Sequence, residues 1–199
     1  MIHVIDNFLK DPHQVRSKGL KLQYKKGDYY PGYRSFEVDE YIKKNIISYS
    51  SKITNETLRI QKSAEGFDNC CYQYVTKKFQ TGNFHTDFPT KYTCILFLTP
   101  EPPKNSGLEI CDYDFKDTKW TKKFRDIKFN FIKNPDSLSN KIKYKISAHK
   151  YNQRFDPMIK VNNKFNRMVI FDGGLFHKQQ NYFGSSAKDS RMTIATFLI

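Results

Sequence analysis

The chain has 199 residues with 38% hydrophobic and 16% aromatic content, enough for a buried core and too apolar for a disordered segment. Its formal net charge of +14 reads either as attraction to nucleic acid or another polyanion, or as a Lys-rich compositional bias spread along the chain. No apolar stretch reaches membrane-spanning length and the first residues lack the pattern of a secretory signal; adjacent Cys70 and Cys71, with Cys94 and Cys111, read as reduced core residues of a cytoplasmic protein.

Ile2-His3-Val4-Ile5 predicts an opening strand, and Asp11-Pro12 a helix N-cap followed by proline in the first turn. After a turn-rich segment, Tyr29-Tyr30-Pro31-Gly32-Tyr33-Arg34, a second helix is expected over 38–53, with Tyr41, Ile42, Ile46, Ile47 and Tyr49 as its apolar stripe. From Phe67 onward strands take over. Cys71 to Val75 is one, Thr81-Gly82-Asn83 turns into Phe84-His85-Thr86-Asp87, and Tyr92 to Leu98 is a near-continuous apolar strand. Gly107-Leu108-Glu109-Ile110, Arg167 to Phe171 and Arg191 to Ile199 complete the set. Within the polar, basic stretch 112–160, Ile127/Phe129/Phe131 and Ile142/Tyr144/Ile146 alternate around Asn134-Pro135-Asp136-Ser137. That pattern predicts a two-stranded hairpin with a wide loop, its Lys-rich faces protecting an edge or lining a substrate path. The expected fold is mainly β with helices (α+β): a double-stranded β-helix, or jelly roll, with the N-terminal helices packed on one side.

His85-Thr86-Asp87 is the chemically informative motif. Alternating side chains put His85 and Asp87 on one face of a strand or its end. One imidazole and one carboxylate, completed by a distant histidine, make the facial triad that holds non-haem Fe(II) and leaves positions open. His177 follows an apolar strand and an Asp172-Gly173-Gly174 turn, where a strand end can deliver a ligand. Fourteen residues later Arg191, Thr193 and Ala195 share one face of the last strand, a pairing of cation and hydroxyl suited to gripping a carboxylate. His149 is the rival third ligand, although it sits in a Lys-rich segment with no Arg-x-Thr strand after it.

The order His-x-Asp, strand, Gly-Leu-Glu-Ile, strand, His, then Arg-x-Thr resembles the 2-oxoglutarate/Fe(II) oxygenases, most closely the prolyl-hydroxylase branch, over roughly 72–199. The opening Asp6-Asn7-Phe8-Leu9 with Asp11-Pro12 is similar to a subgroup found in phage and bacterial genomes. The resemblance implies a single oxygenase domain: 1–66 as helical support, 67–111 and 161–199 as jelly-roll core, 112–160 as an insertion or lid. It implies His85, Asp87 and His177 as Fe(II) ligands, Arg191 and Thr193 as the clamp for the far carboxylate of 2-oxoglutarate, and Tyr74 and Thr93 beside the cosubstrate. Where related enzymes carry a carboxylate-binding tyrosine, this chain has Phe97, so the clamp lacks one hydroxyl. Fe(II), 2-oxoglutarate and O2, with ascorbate as a stimulant, are the implied cofactors. The implied reaction is hydroxylation of a C–H bond in a protein or peptide, proline first. Oxidation of a nucleic-acid base is the alternative that the charge motivates, and a metal-free jelly-roll binding module is the non-catalytic one. No membrane partner is expected.

Overall fold

The computed structural model describes residues 1–63, 66–111 and 118–199, with 118–120 described by backbone alone. Its frame is a seven-stranded antiparallel sheet centred on the two most apolar segments, β5 (Tyr92–Phe97) and β10 (Arg191–Leu198). Both are buried nearly throughout, which is what a continuous apolar run predicts. β8 (Met168–Asp172) and then β1 (Ile2–Ile5) flank β5, while β4 (Cys70–Val75), β3 (Tyr33–Ser35) and β2 (Lys25–Lys26) extend the sheet beyond β10. A second, three-stranded sheet runs β7 (Ile159–Val161), β6 (Leu108–Cys111), β9 (Phe176–Gln179).

Period-2 alternation gives the large sheet two apolar faces. Met192, Ile194 and Leu198 of β10 face outward with Tyr72, Leu96 and Ile170, onto α1 (Pro12–Gly19) and α2 (Glu40–Thr54). Ala195, Ile95, Phe97 and Phe171 face inward, against Leu108 and Ile110 of the small sheet. The N-terminal helices therefore pack on one side of a jelly roll, as expected. In α2 the core face is narrower than the predicted stripe. Ile42, Ile46 and Ser50, four apart, are buried, while Tyr41 stays 64% exposed and Tyr49 lies at the surface. Asn55, in the left-handed region at φ 56°, closes the helix.

The hairpin expected within 112–160 is not what forms. Residues 112–117 lie outside the described residues, and beyond them the chain builds two helices, α3 (Thr118–Lys133) and α4 (Leu138–Asn152). The alternation was a subset of a 3.6-residue period: Phe124 and Phe131 are seven apart, and Tyr144, Ala148, Tyr151 and Phe155 follow at steps of four, three and four. These seal one aromatic cluster with Phe84 and Cys111, whereas Ile142 and Ile146, which alternation would have placed beside Tyr144, are 51% and 53% exposed. The wide loop holds an N-cap, with the Ser137 hydroxyl accepting from the Asn140 N–H. All four cysteines are buried and none forms a disulfide, and no helix among the described residues is long and apolar enough to cross a membrane.

Candidate metal centre

His85 comes from an extended segment that belongs to no strand; its only sheet-like contact is a bridge to β9. The His85 N–H donates to the His177 carbonyl at 3.0 Å and the His177 N–H returns to the His85 carbonyl at 2.9 Å. Directly opposed residues project to the same side, so the two rings stand 4.4 Å apart between centroids. Two residues on, the Asp87 N–H is fixed to the Gly173 carbonyl at 2.8 Å. Gly173 has to be glycine for this approach, because a Cβ would meet the Thr90 carbonyl oxygen at 2.3 Å. The result is a cluster. The Asp87 carboxylate lies 3.3 Å from His177 Nε2 and 3.8 Å from His85 Nε2, and one ligand atom from each residue fits within 4.8 Å of the others. No other such group of three occurs among the described residues.

Each member of the cluster is aimed by a neighbour. Nδ1 of His85 faces the Asn83 carbonyl at 2.9 Å and Nδ1 of His177 the Leu175 carbonyl at 3.1 Å. A carbonyl accepts only from N–H, so the proton sits on Nδ1 and both Nε2 lone pairs are free for a cation. The Thr93 hydroxyl donates to Asp87 Oδ2 at 2.7 Å. Burial, and then the neighbouring His177, push His85 down to about 3. Burial alone would raise Asp87, but His177, His85 and Thr93 outweigh it and hold the carboxyl well below the usual carboxylate range. Both groups are thus in the ligating form at neutral pH, which suits a divalent cation with nitrogen and oxygen preference.

A cavity of about 240 Å³ opens over the cluster. Ala195 and Phe197 line it, and strand parity puts Thr193 and Arg191 on the same face. Arg191 is completely buried, its guanidinium 5.1 Å from the Phe97 ring centroid, and among the described residues Nε, Nη1 and Nη2 have no hydrogen-bond partner. The buried Thr193 hydroxyl lacks one too. Burial lowers the guanidinium pKa to about 10 despite the opposing influence of Tyr182. Unpaired buried donors of this kind are costly in a folded protein, and a carboxylate would satisfy them together. The residues present therefore fit both a metal and a dicarboxylate.

His85, Asp87, His177 and Thr93 all line the cavity, and Arg191 and Thr193 lie on the same face of β10 as its lining residues Ala195 and Phe197. His149 does not: it is exposed in the last turn of α4, outside the cluster. Tyr74 also stands elsewhere. It faces outward from β4, stacked on Tyr33 at 4.8 Å and edge-on to Tyr24 at 4.9 Å, and its neighbour Gln73 takes the inward position. The reason is strand parity: Gln73 lies across from Thr193, so Tyr74 points the other way. Thr93 touches the Asp87 carboxylate, and so orients that group as well as lining the cavity. Sequence reading missed Gln73, Arg34, Lys128 and Tyr182, which also line the cavity; the only local signal was a polar glutamine inside the apolar run Cys71–Val75.

The two insertion helices hold this site in place. Asn152 of α4 accepts from the Phe84 N–H at 3.2 Å and donates to the Gly82 carbonyl at 3.0 Å, while the Tyr144 hydroxyl donates to the Thr81 carbonyl at 2.9 Å. Three hydrogen bonds thus fix the segment that carries His85.

Residues 1–198 match the family model described as a family of unknown function, DUF6445, and the chain belongs to that family. No curated protein matches the sequence. Among solved structures, HygX from Streptomyces hygroscopicus with nickel, 2-oxoglutarate and hygromycin B bound is 11% identical, with 99% of this chain and 82% of that one covered at a TM-score of 0.60. The non-heme alpha-ketoglutarate-dependent epimerase SnoN from nogalamycin biosynthesis is 8% identical, covering 100% and 77% at a TM-score of 0.59. AviO1 from Streptomyces viridochromogenes Tue57 is 13% identical, covering 99% and 88% at a TM-score of 0.51. The chain shares its fold with 2-oxoglutarate-dependent non-haem enzymes.

Proposed function

We propose that this DUF6445 member is an Fe(II)- and 2-oxoglutarate-dependent oxygenase that hydroxylates a C–H bond. One observation carries the reading. A His85–Asp87–His177 cluster with free Nε2 atoms shares a face of the jelly roll with a buried arginine and threonine whose donors have no partner among the described residues. A metal site explains the first half and a dicarboxylate cosubstrate the second; a binding module of the same fold needs neither.

His85, Asp87 and His177 would hold the iron, and Arg191 with Thr193 the far carboxylate of 2-oxoglutarate. Bound together, the iron and cosubstrate supply the oxidising power that O2 alone lacks toward a C–H bond. The protein contributes orientation and exclusion. Thr93 fixes the rotation of the Asp87 carboxylate, and the two backbone carbonyls fix the imidazoles, so the ligands need little rearrangement. Ile95, Leu108 and Phe197 give the cavity an apolar wall that keeps water from the oxidised carbon. On the substrate side, the prolyl-hydroxylase likeness of the sequence nominates a proline-containing peptide, and the charge of +14 nominates nucleic acid.

The test is anaerobic titration of Fe(II) and 2-oxoglutarate into metal-free protein, following the visible charge-transfer band of the chelate. Wild type and His149→Ala should give the band and His177→Ala should not. Admission of O2 should then convert 2-oxoglutarate to succinate, with proline peptides and oligonucleotides screened for stimulation. A folded wild type with neither band nor turnover would leave the binding module as the better reading.

A further inference from the structure

Besides buried Arg191, two further cations stand at the cavity itself. Arg34 of β3 and Lys128 of α3 both line it, and among the described residues neither has an ion-pair partner. Arg34 lies flat over Tyr30, its guanidinium carbon 3.6 Å from the ring centroid, with Nε buried and unbonded. Lys128 faces the metal cluster closely enough for its charge to act on both Asp87 and His85.

Position separates Arg34 from the cosubstrate clamp. In the sheet, Arg34 lies across from Gln73, and Gln73 across from Thr193. Two strand spacings put Arg34 about 10 Å from Thr193 along that row. That spacing, with the Arg34 head held over Tyr30 in the loop between β2 and β3, sets Arg34 apart from the Arg191–Thr193 pair. That loop also meets α3 directly. Tyr29 packs edge-on against Phe129 at 5.4 Å, and Lys26 donates to the Lys133 carbonyl at 2.8 Å. The wall bearing Arg34 and the helix bearing Lys128 are thus joined beside the cavity.

The charges do not balance with metal and cosubstrate alone. Arg34 and Lys128 at the cavity, and Arg191 buried on the same face of the sheet, are set against one carboxylate, Asp87, which leaves two positive charges. A divalent ion adds two more, and a dicarboxylate removes two. Two uncompensated positive charges remain around one cavity, where an anion is favoured.

We infer that the substrate carries an oxyanion, a carboxylate or phosphate, that pairs with Arg34 and Lys128 and so presents a neighbouring C–H bond to the metal. This rests on the oxygenase reading for the site's purpose. It makes Arg34 and Lys128 specificity-determining residues, and it gives the α3–α4 insertion a direct part in choosing the substrate. Tyr29 and Tyr30 add flat apolar surface beside the oxyanion, which suits a substrate with a planar or apolar body.

The test is calorimetric titration of Fe(II)- and 2-oxoglutarate-loaded protein under nitrogen. The probes are inorganic phosphate, phenyl phosphate and phenylacetate, with phenylacetamide and benzyl alcohol as uncharged matches. The anions should bind about tenfold or more tightly than their matches, and Arg34→Gln or Lys128→Gln should each remove about tenfold, the size expected for a lost charge-assisted hydrogen bond. Preference between phenyl phosphate and phenylacetate identifies which oxyanion the site takes. The chelate band should survive in both variants. Equal binding of charged and uncharged probes, no binding of any anion, or anion binding indifferent to both variants overturns the inference while leaving the oxygenase reading intact. Loss of the chelate band in Arg34→Gln also overturns it, because Arg34 would then belong to the cosubstrate clamp. Absence of the band in wild type has the opposite meaning. If the band is absent in wild type while metal-free Arg191→Met protein still binds anions through Arg34 and Lys128, the oxygenase reading fails and the oxyanion site stands.

Discussion

Replacing Arg191 with methionine should make the ligand-free protein more stable and indifferent to 2-oxoglutarate. The guanidinium is wholly buried, its three nitrogens have no partner among the described residues, and burial has brought its pKa down to about 10. At about 1.4 kcal/mol per pH unit, holding the charged form in the fold costs about 3 kcal/mol. The folded-state pKa lies below the unfolded one, so this penalty is complete at neutral pH and fades only as pH rises through about 10. Methionine fills much of the same space without the charge, and imperfect packing returns about 1 kcal/mol. The net gain is about 1–2 kcal/mol, or about 2–8 °C in melting temperature for a chain of this length. In wild type, by contrast, 2-oxoglutarate at a hundredfold over its Kd with Mn(II) in place of iron should add about 2.7 kcal/mol. The assay is urea and thermal unfolding of both proteins at neutral pH, with and without 2-oxoglutarate. A variant that is less stable than wild type and still responds to 2-oxoglutarate would refute the argument, since Arg191 would then be a satisfied structural cation.

Thr93→Val should lower Fe(II) affinity about tenfold by releasing the Asp87 carboxylate, and Thr93→Ser should restore it; competition with a calibrated chelator reads both. Asn152→Ala removes two hydrogen bonds to the 82–84 segment and should cost about 1–3 kcal/mol in urea unfolding, with faster amide exchange at Phe84 and His85. Tyr74→Phe should leave the chelate band unchanged, because Tyr74 is on the outward face of β4, and a weakened band would put that tyrosine back beside the cosubstrate.

The metal cluster was legible because its information is local and its residue types are few. His85 and Asp87 are bound together by the two-residue step, His177 by a glycine turn at the end of an apolar strand, and Arg191 with Thr193 by the parity of the last strand. The same parity rule, applied to Cys71–Val75, would have turned Tyr74 outward and brought Gln73 in, but only with the phase of β4 relative to β10 in hand. That phase is a property of strand pairing, and a single strand does not carry it.

The insertion was misread for a different reason, and it bears on the chemistry. In 112–160 the apolar residues satisfy a two-residue step over short windows and a 3.6-residue step over long ones. Only the longer window, joining Tyr144 to Ala148, Tyr151 and Phe155, separates the two. The helices that result do two jobs at opposite ends. Asn152 and Tyr144 of α4 hold the backbone leading to His85, and Lys128 of α3 puts a charge onto the cavity beside it. Tyr29 against Phe129 then ties α3 to the loop on which Arg34 rests. Metal geometry and substrate charge thus depend on one helical pair. A change in α3 or α4 that loosens the aromatic cluster should weaken iron binding and oxyanion selection together, whereas a change confined to Arg34 should reach the substrate alone.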